Sequence, residues 1–193
     1  MAPQLILASA SPRRRELLDQ IGVTYEVRIS EVDERPLAGE DPKSHVLRLA
    51  RTKADEVRKR TTSQLPILGA DTVVVQDNTI LGKPKDLADA VTMLKLLSGR
   101  SHLVMSAVCL NTGNNSGGRE TVSISRVYFR PLSEKEILSY WHTGEPVDKA
   151  GAYAIQGRGA VFIRHLEGSF SGVMGLPLYE TAQLLKEAGI EIL

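Results

Sequence analysis

The segment of residues 65–75 constrains the fold most, because it is apolar, rich in strong β-formers and broken only at residues 69–72. Such a run predicts a strand through the interior of a sheet. Asp71 lies within it, and an unpaired ionised carboxylate in an apolar interior costs several kcal/mol. Asp71 must therefore meet hydrogen-bond donors, a cation or a metal. It either caps a strand end by accepting backbone N–H bonds, or serves as a general base or metal ligand.

Strands and helices alternate along the rest of the chain, which is typical of an α/β protein. Further strands are predicted over residues 5–8, 25–29, 79–81, 102–111, 121–130 and 160–166, with an exposed hairpin tip at 112–118. Helix starts are predicted at Ser11-Pro12, Asp41-Pro42, Asp86, the capping box Ser133-Glu-Lys-Glu136 and Pro177. The 193 residues suffice for one core and contain no linker-like stretch, so we expect one domain over residues 1–193.

The composition excludes several classes of protein. Apolar residues make up 42% and charged residues 24% of the chain, as in soluble globular proteins, and no apolar run reaches the roughly 20 residues of a membrane span. The net charge of +1 argues against a surface for nucleic acid. The amino terminus has no signal-peptide pattern and Cys109 is the one cysteine, so we expect a cytoplasmic protein with a buried structural thiol.

Three consecutive arginines, Arg13, Arg14 and Arg15, follow a Ser-Pro helix start. Cations are unfavourable there, by roughly 0.3 to 1 kcal/mol per charge, because the helix dipole places its positive end at the N-terminus. A bound phosphate or carboxylate would remove that penalty. The segment therefore either binds an anion or is a solvated stretch of surface.

Lysines also stand at positions that suit a phosphate site. Lys53 is the one charged member of an apolar helical face, so it either points inward or extends its apolar stem along the rim. Lys83 and Lys85 bracket Pro84, whose rigid backbone could hold a lysine against a phosphate. Solvated loop lysines are the alternative for this pair.

Carboxylate and amide side chains suggest two further ligand contacts. One hard divalent cation could bridge Asp71, substrate phosphates and a loop carboxylate, either Asp33 or Glu34. Gln156 lies in a predicted turn, and its amide could pair with a nucleobase edge or be an ordinary polar turn residue. The four histidines lack the spacing of a zinc site, and Walker A, G-x-G-x-x-G and G-x-S-x-G motifs are absent from the sequence.

A set of short motifs runs through nearly the whole chain: LASASPRR at residues 7–14, LGADT at 68–72, KP at 83–84, DKAGAY at 148–153, IQG at 155–157 and GLP at 175–177. In type and order they resemble those of the Maf nucleoside triphosphate pyrophosphatases. The resemblance implies hydrolysis of a nucleoside triphosphate between its α- and β-phosphates with Mg²⁺ or Mn²⁺. It further implies an elongated mixed α/β sheet flanked by helices, similar to the inosine triphosphate pyrophosphatases, with the site in a central cleft.

The resemblance also implies residue roles by motif position. Asp71 is the expected proton acceptor, and Lys53, Lys83 and Glu34 are the other expected charged catalytic groups. Glu34 and Asp71 are the expected metal ligands. Arg13, Thr72 and Gln156 are the expected specificity residues, and Ser9, Ser11 and Arg14 the expected phosphate contacts. Thr72 and Gln156 resemble the dTTP and UTP branch rather than the 7-methyl-GTP branch. A homodimer, clearance of nucleotide pools and a link to cell-division arrest are implied as well.

Three other functions stay open. One is a pyrophosphatase of different base preference, directed at damaged purine nucleotides or 7-methyl-GTP. Another is a nucleotide-binding regulator of septum formation without turnover, although a sensor has no need of a base such as Asp71. RNA binding through the arginines is disfavoured, because aromatic residues make up only 5% of the chain and offer no stacking platform.

Overall fold

The computed structural model describes residues 2–113 and 118–192, and its centre is one mixed sheet of seven strands. The strands are β1 (Leu5–Leu7), β2 (Tyr25–Val27), β3 (Ile67–Gln76), β4 (Thr79–Leu81), β5 (Ser101–Asn111), β6 (Arg119–Phe129) and β7 (Ile163–Glu167). Their order is β2-β1-β3-β5-β6-β7, with β4 paired to β3. β1 runs parallel to β2 and β3, and the other pairs are antiparallel. The predicted α/β class is confirmed.

Six α-helices flank the sheet in the described residues: α1 (Pro12–Gln20), α2 (Pro42–Lys59), α3 (Leu87–Leu97), α4 (Glu134–Trp141), α5 (Phe170–Met174) and α6 (Leu178–Glu187). Short 3₁₀ turns cover Glu145–Asp148, Ala150–Ala152 and Arg158–Phe162. The predicted caps at Asp41 and Asp86 and the capping box of α4 are all present. At α1, Ser11 holds the N-cap position, and its backbone N–H donates to Ser9 Oγ at 3.2 Å. None of these helices is long and apolar enough to cross a membrane.

The strand predicted through residues 65–75 is confirmed, and its less apolar residues 69–72 do not interrupt it, since β3 pairs with β5 continuously from Ile67 to Val75. Two details differ from the sequence-based prediction. The strand expected from residue 160 begins at Ile163, because Arg158–Phe162 forms a 3₁₀ turn in which the backbone N–H of Ala160 donates to the carbonyl oxygen of Gly157 at 3.1 Å. The five-residue helix α5 was not predicted. Part of the predicted hairpin tip, residues 114–117, lies outside the described residues.

The core is divided by the sheet and lies on both of its faces. One face of β1, β3 and β5 packs against α2, and the other face packs against α1 and α6. A third apolar cluster joins α3 and α4 to the far ends of β5 and β6. Cys109 is buried under α2, as predicted, and burial raises the pKa of its thiol to about 12. A thiol in this state is a packing residue rather than a nucleophile.

Candidate active site

A cleft of about 740 Å³ opens beside the middle of β3. Every catalytic, metal, phosphate and specificity residue predicted from the sequence lines it. These residues are Ser9, Ser11, Arg13, Arg14, Glu34, Lys53, Asp71, Thr72, Lys83 and Gln156. They come from at least five separate segments of the chain, so the fold has brought distant positions together around one concave surface.

Asp71 lies on the face of β3 that α2 covers, where it meets Lys53. The two residues are only 7% and 8% exposed, and Lys53 Nζ donates to Asp71 Oδ1 at 2.7 Å. Glu34, from the segment before α2, places its Oε1 at 2.6 Å from the same ammonium. Asp71 is therefore held within the strand by an ion pair and does not cap a strand end. Lys53 points inward and joins two carboxylates.

Gly69 makes this contact possible because it lets α2 pack closely on β3. A Cβ at Gly69 would overlap the carbonyl oxygen of Ala50 and lie 2.8 Å from the backbone nitrogen of Ala54. Residues two apart in a strand share a face, so Gly69 and Asp71 both point toward α2. Since Lys53 follows Ala50 by three residues on α2, this close approach brings its ammonium to the Asp71 carboxylate.

The charges of the cleft favour an ionised Glu34. Its partial burial alone would raise the pKa of Glu34, but the hydrogen bond and charge of Lys53, helped by Lys83 and Arg14, bring that pKa below its ordinary value. Burial lowers the pKa of the Arg14 guanidinium, and the nearby Asp71 charge opposes that change. The cleft therefore presents an ionised Glu34 at neutral pH, which is the form that can hold a metal cation.

Lys83, just after β4, also lines the cleft and pairs with Asp148, at 2.8 Å from Nζ to Oδ1. This hydrogen bond is the main reason that the pKa of Asp148 lies below its ordinary value. Both side chains are more than half exposed, so this pair can open without a large desolvation cost. Lys85 is exposed on the adjacent turn, and Asp33 makes a salt bridge with its neighbour Arg35. Lys83 and Glu34 thus line the cleft, whereas Lys85 and Asp33 do not.

The three consecutive arginines occupy three different environments. Arg13 is half-buried and lines the cleft, Arg14 is buried, and Arg15 is exposed. Arg14 donates through Nε to the carbonyl oxygen of Gly175 at 2.9 Å and through Nη1 to Ser9 Oγ at 3.0 Å. Arg14 therefore fixes the wall of the cleft, whereas Arg13 keeps its guanidinium at the cleft surface.

Thr72 points to the opposite face of β3 from its neighbour Asp71. Its hydroxyl lies 2.8 Å from Ser106 Oγ on the paired strand β5 and 3.5 Å from Arg14 Nη2. Ser106 in turn donates to the carbonyl oxygen of Gly172 in α5 at 2.6 Å. This network fixes the Thr72 side chain between the sheet and α5, the helix that the sequence did not predict.

Gln156 lies on an exposed turn and lines the cleft. Residues 148–153, just before it, supply lining groups to which sequence reasoning gave no role, namely Asp148, Lys149 and Tyr153. The Tyr153 hydroxyl lies 2.8 Å from Nε2 of the buried His102, whose pKa burial lowers to about 4. The sequence did carry one signal for this segment, because the motif at residues 148–153 begins with two adjacent opposite charges, Asp148 and Lys149, followed by small residues.

The donor set of the cleft fits a hard divalent cation. In residues 2–113 and 118–192, no group of three or more His, Cys, Asp or Glu side chains is arranged around one point. Two carboxylates, Glu34 and Asp71, do converge on the single atom Lys53 Nζ. Mg²⁺ and Mn²⁺ commonly take one or two protein carboxylates and complete their coordination with water and substrate phosphates. Glu34 and Asp71 are therefore the residues that could hold such an ion beside a triphosphate.

Comparison with known proteins gives several relatives of nearly equal length. A "dTTP/UTP pyrophosphatase" of Methylococcus capsulatus is 52% identical over 97% of this chain and 92% of its own length. Proteins of the same name from Anaeromyxobacter dehalogenans and Alkalilimnicola ehrlichii are 50% and 51% identical over 100% and 98% of this chain, covering 97% and 95% of their own lengths. Among solved structures, a nucleoside-triphosphatase of Mycobacterium abscessus matches at 19% identity with a TM-score of 0.41, over 65% of this chain and 72% of that one.

The family assignment follows from the length of the match. The model of the family described as "Maf-like protein" matches residues 4–188 of this chain. That range contains every lining residue of the cleft. This chain belongs to the Maf family.

Proposed function

We propose that this chain hydrolyses dTTP and UTP to the corresponding monophosphate and pyrophosphate. The observation that carries the proposal is the buried Lys53 ammonium that holds Asp71 and Glu34 together in the cleft. The names of the relatives, at 50% to 52% identity over nearly the full chain, support the choice of substrate. Clearing such nucleotides from the cellular pool is the role that this activity would serve.

Asp71 is the group proposed to take the proton of the attacking water. The water oxygen forms a bond to the α-phosphorus, and the bond from that phosphorus to the oxygen bridging the α- and β-phosphates breaks. Pyrophosphate leaves with the electron pair of that bond, and the proton passes to Asp71 and then to solvent. General-base assistance of this kind is typically worth a factor of about 10² to 10⁴ in rate.

The remaining charges counter the negative charge of the triphosphate. A divalent cation held by Glu34 and Asp71 would supply Lewis-acid stabilisation of the phosphate oxygens. Lys83, once released from Asp148, can turn toward the phosphates, and Lys53 keeps the two carboxylates in place. The N-terminus of α1, with Ser9 and Ser11, is the proposed phosphate contact, because both serines line the cleft and the first N–H groups of a helix have no intrahelical partners.

Nucleotide choice is assigned to three residues around the cleft. Arg13 at the start of α1, Thr72 on β3 and Gln156 on its turn all line the cleft. The amide of Gln156 offers both a donor and an acceptor, as the edge of uracil or thymine requires. A cytoplasmic homodimer built from one domain over residues 1–193, and a link to division arrest, complete the proposal and rest on the family resemblance.

A nucleotide panel tests this function. The purified chain is incubated with Mg²⁺ and each of dTTP, UTP, CTP, dATP, GTP, inosine triphosphate and 7-methyl-GTP, and monophosphate and pyrophosphate are measured together. We expect both products in equal amounts, with the highest kcat/KM for dTTP and UTP and with loss of turnover in EDTA. A purine optimum would contradict the substrate assignment, and tight binding without products would indicate a regulator instead.

A further inference from the structure

The turn that carries Gln156 is bound through hydrogen bonds by two side chains from another part of the chain. Tyr140, near the end of α4, accepts a hydrogen bond from the backbone N–H of Ala154 at 3.1 Å. Glu145, in the following 3₁₀ turn, accepts from the backbone N–H groups of Arg158 and Gly159 at 2.9 and 3.0 Å. The two anchors thus bind the turn on both sides of Gln156.

The anchors are also bound to each other. The Tyr140 hydroxyl donates to Glu145 Oε1 at 2.6 Å. Tyr140 is only 4% exposed, and its ring meets that of Phe162 edge to face, with 4.9 Å between the ring centroids. Since Phe162 ends the 3₁₀ turn that follows Gln156, the phenol is fixed by packing as well as by its hydrogen bonds.

The fit between Glu145 and the turn leaves no room for a side chain at the residue after Gln156. A Cβ at Gly157 would overlap the Glu145 carboxylate. Burial of Glu145 alone would raise its pKa, but the hydrogen bonds from Tyr140, Arg158 and Gly159 outweigh it and keep that pKa below its ordinary value. The carboxylate is therefore ionised at neutral pH and accepts all three hydrogen bonds at once.

We propose that Tyr140 and Glu145 are positioning residues that set the location of Gln156 and thereby the nucleotide selectivity of the cleft. This inference rests on the proposed function, in which Gln156 contacts the base. Neither side chain lines the cleft, so their effect reaches substrate only through the turn. A mobile turn would leave the Gln156 amide free to meet other bases, because selectivity by hydrogen bonds requires fixed donors and acceptors.

The test compares Tyr140→Phe, Glu145→Gln and Gln156→Ala with the wild-type enzyme. Tyr140→Phe removes one hydroxyl and keeps the ring packing, so it should fold even where Glu145→Gln is less stable. We expect the KM for UTP to rise about three- to tenfold in both anchor variants, the effect of losing one ordinary hydrogen bond, with kcat within about twofold. The preference for UTP over CTP should fall by a similar factor.

Two controls separate positioning from general destabilisation. Tyr128→Phe removes a phenol that donates to Glu167 on an exposed strand, and Glu136→Gln weakens the capping box of the helix that carries Tyr140. Both should keep the UTP preference. In the Gln156→Ala background, Tyr140→Phe should change selectivity no further, because coupled residues are non-additive.

The possible failures are distinguishable. A wild-type chain that releases no monophosphate and pyrophosphate overturns the proposed function and this inference together. A selective wild type whose Tyr140→Phe variant keeps its preference overturns the inference alone. The inference is likewise overturned if the effects of Tyr140→Phe and Gln156→Ala on selectivity are additive, or if Glu136→Gln loses selectivity to the same extent.

Discussion

At the scale of single residues, the cleft depends on one lysine between two carboxylates. Asp71 and Lys53 were both identifiable from the sequence, because each is a charge on an otherwise apolar surface. Their mutual contact was not, since it joins positions 18 apart through a particular packing of helix on strand. Glu34 was harder still, because only the family resemblance distinguished it from Asp33 in the same acidic loop, and its contact with Lys53 is visible only in the fold.

The first prediction concerns the proposed base. Asp71→Asn should lower kcat by at least about a hundredfold, the scale of lost general-base work. Asp77→Asn is the matched control, because Asp77 lies just beyond the end of the same strand and its side chain pairs with Arg100 at the surface. That variant should keep wild-type turnover of dTTP. Near wild-type turnover in Asp71→Asn, measured as pyrophosphate release, would refute the assignment.

The second prediction concerns the arginine that lines the cleft. Arg13→Ala should raise the KM for dTTP or change the substrate profile, because it removes a cation from the rim without touching Asp71 or Lys53. Arg15→Ala is the control, since Arg15 is exposed on the same helix turn. Steady-state kinetics on both variants decide the matter, and an unchanged KM and profile in Arg13→Ala would show this role to be wrong.

At the scale of elements, the site depends on how closely α2 approaches β3. The helical spacing of α2 and its Asp41 cap were legible in the sequence, and so was the strand character of β3. Whether Asp71 caps a strand end or lies inside β3 could not be decided from the sequence, because aspartate has low strand propensity and only the packing of α2 on β3 decides between the two. The close packing of α2 on β3 also requires a glycine at position 69, because a Cβ there would overlap the carbonyl oxygen of Ala50.

The third prediction follows from that packing. Gly69→Ala should lower the free energy of unfolding by about 1 to 3 kcal/mol, the usual cost of overpacking a core. It should also reduce turnover, because α2 must shift and carry Lys53 with it. Gly82→Ala is the stability control, since open space surrounds a Cβ at that position. Urea unfolding compares the variants, and an unchanged midpoint in Gly69→Ala would contradict the close approach.

The fourth prediction concerns the start of α2 in acid. Hydrogen bonds from Arg48, with those of Leu37 N–H and His45, lower the pKa of Glu40 to about 2. This value lies below the pKa of an unfolded glutamate, about 4.3. The stabilisation of the fold by ionised Glu40 is therefore fully present above about pH 4.3 and is lost as the pH falls toward 2. Glu40→Gln should therefore be less stable at pH 6 and show a flatter decline in acid than the exposed control Glu31→Gln. Equal slopes of the unfolding free energy against pH would exclude this role.

At the scale of the whole molecule, both faces of one sheet contribute residues to the site. Asp71 meets α2 on one face, while Thr72 joins α1 and α5 through Arg14 and Ser106 on the other. Alternation along a strand made this split foreseeable once β3 was known to be continuous. The anchoring of Gln156 by Tyr140 and Glu145 was not foreseeable, because it uses backbone N–H groups that carry no sequence signal.

The most direct measurement of the central claim is turnover of UTP in ¹⁸O-labelled water. If water activated at Asp71 attacks the α-phosphorus, the label should appear in uridine monophosphate and be absent from pyrophosphate, as mass spectrometry of both products would show. The Asp71→Asn variant should release neither uridine monophosphate nor pyrophosphate at a comparable rate. Label in pyrophosphate, or release of orthophosphate in its place, would contradict the account.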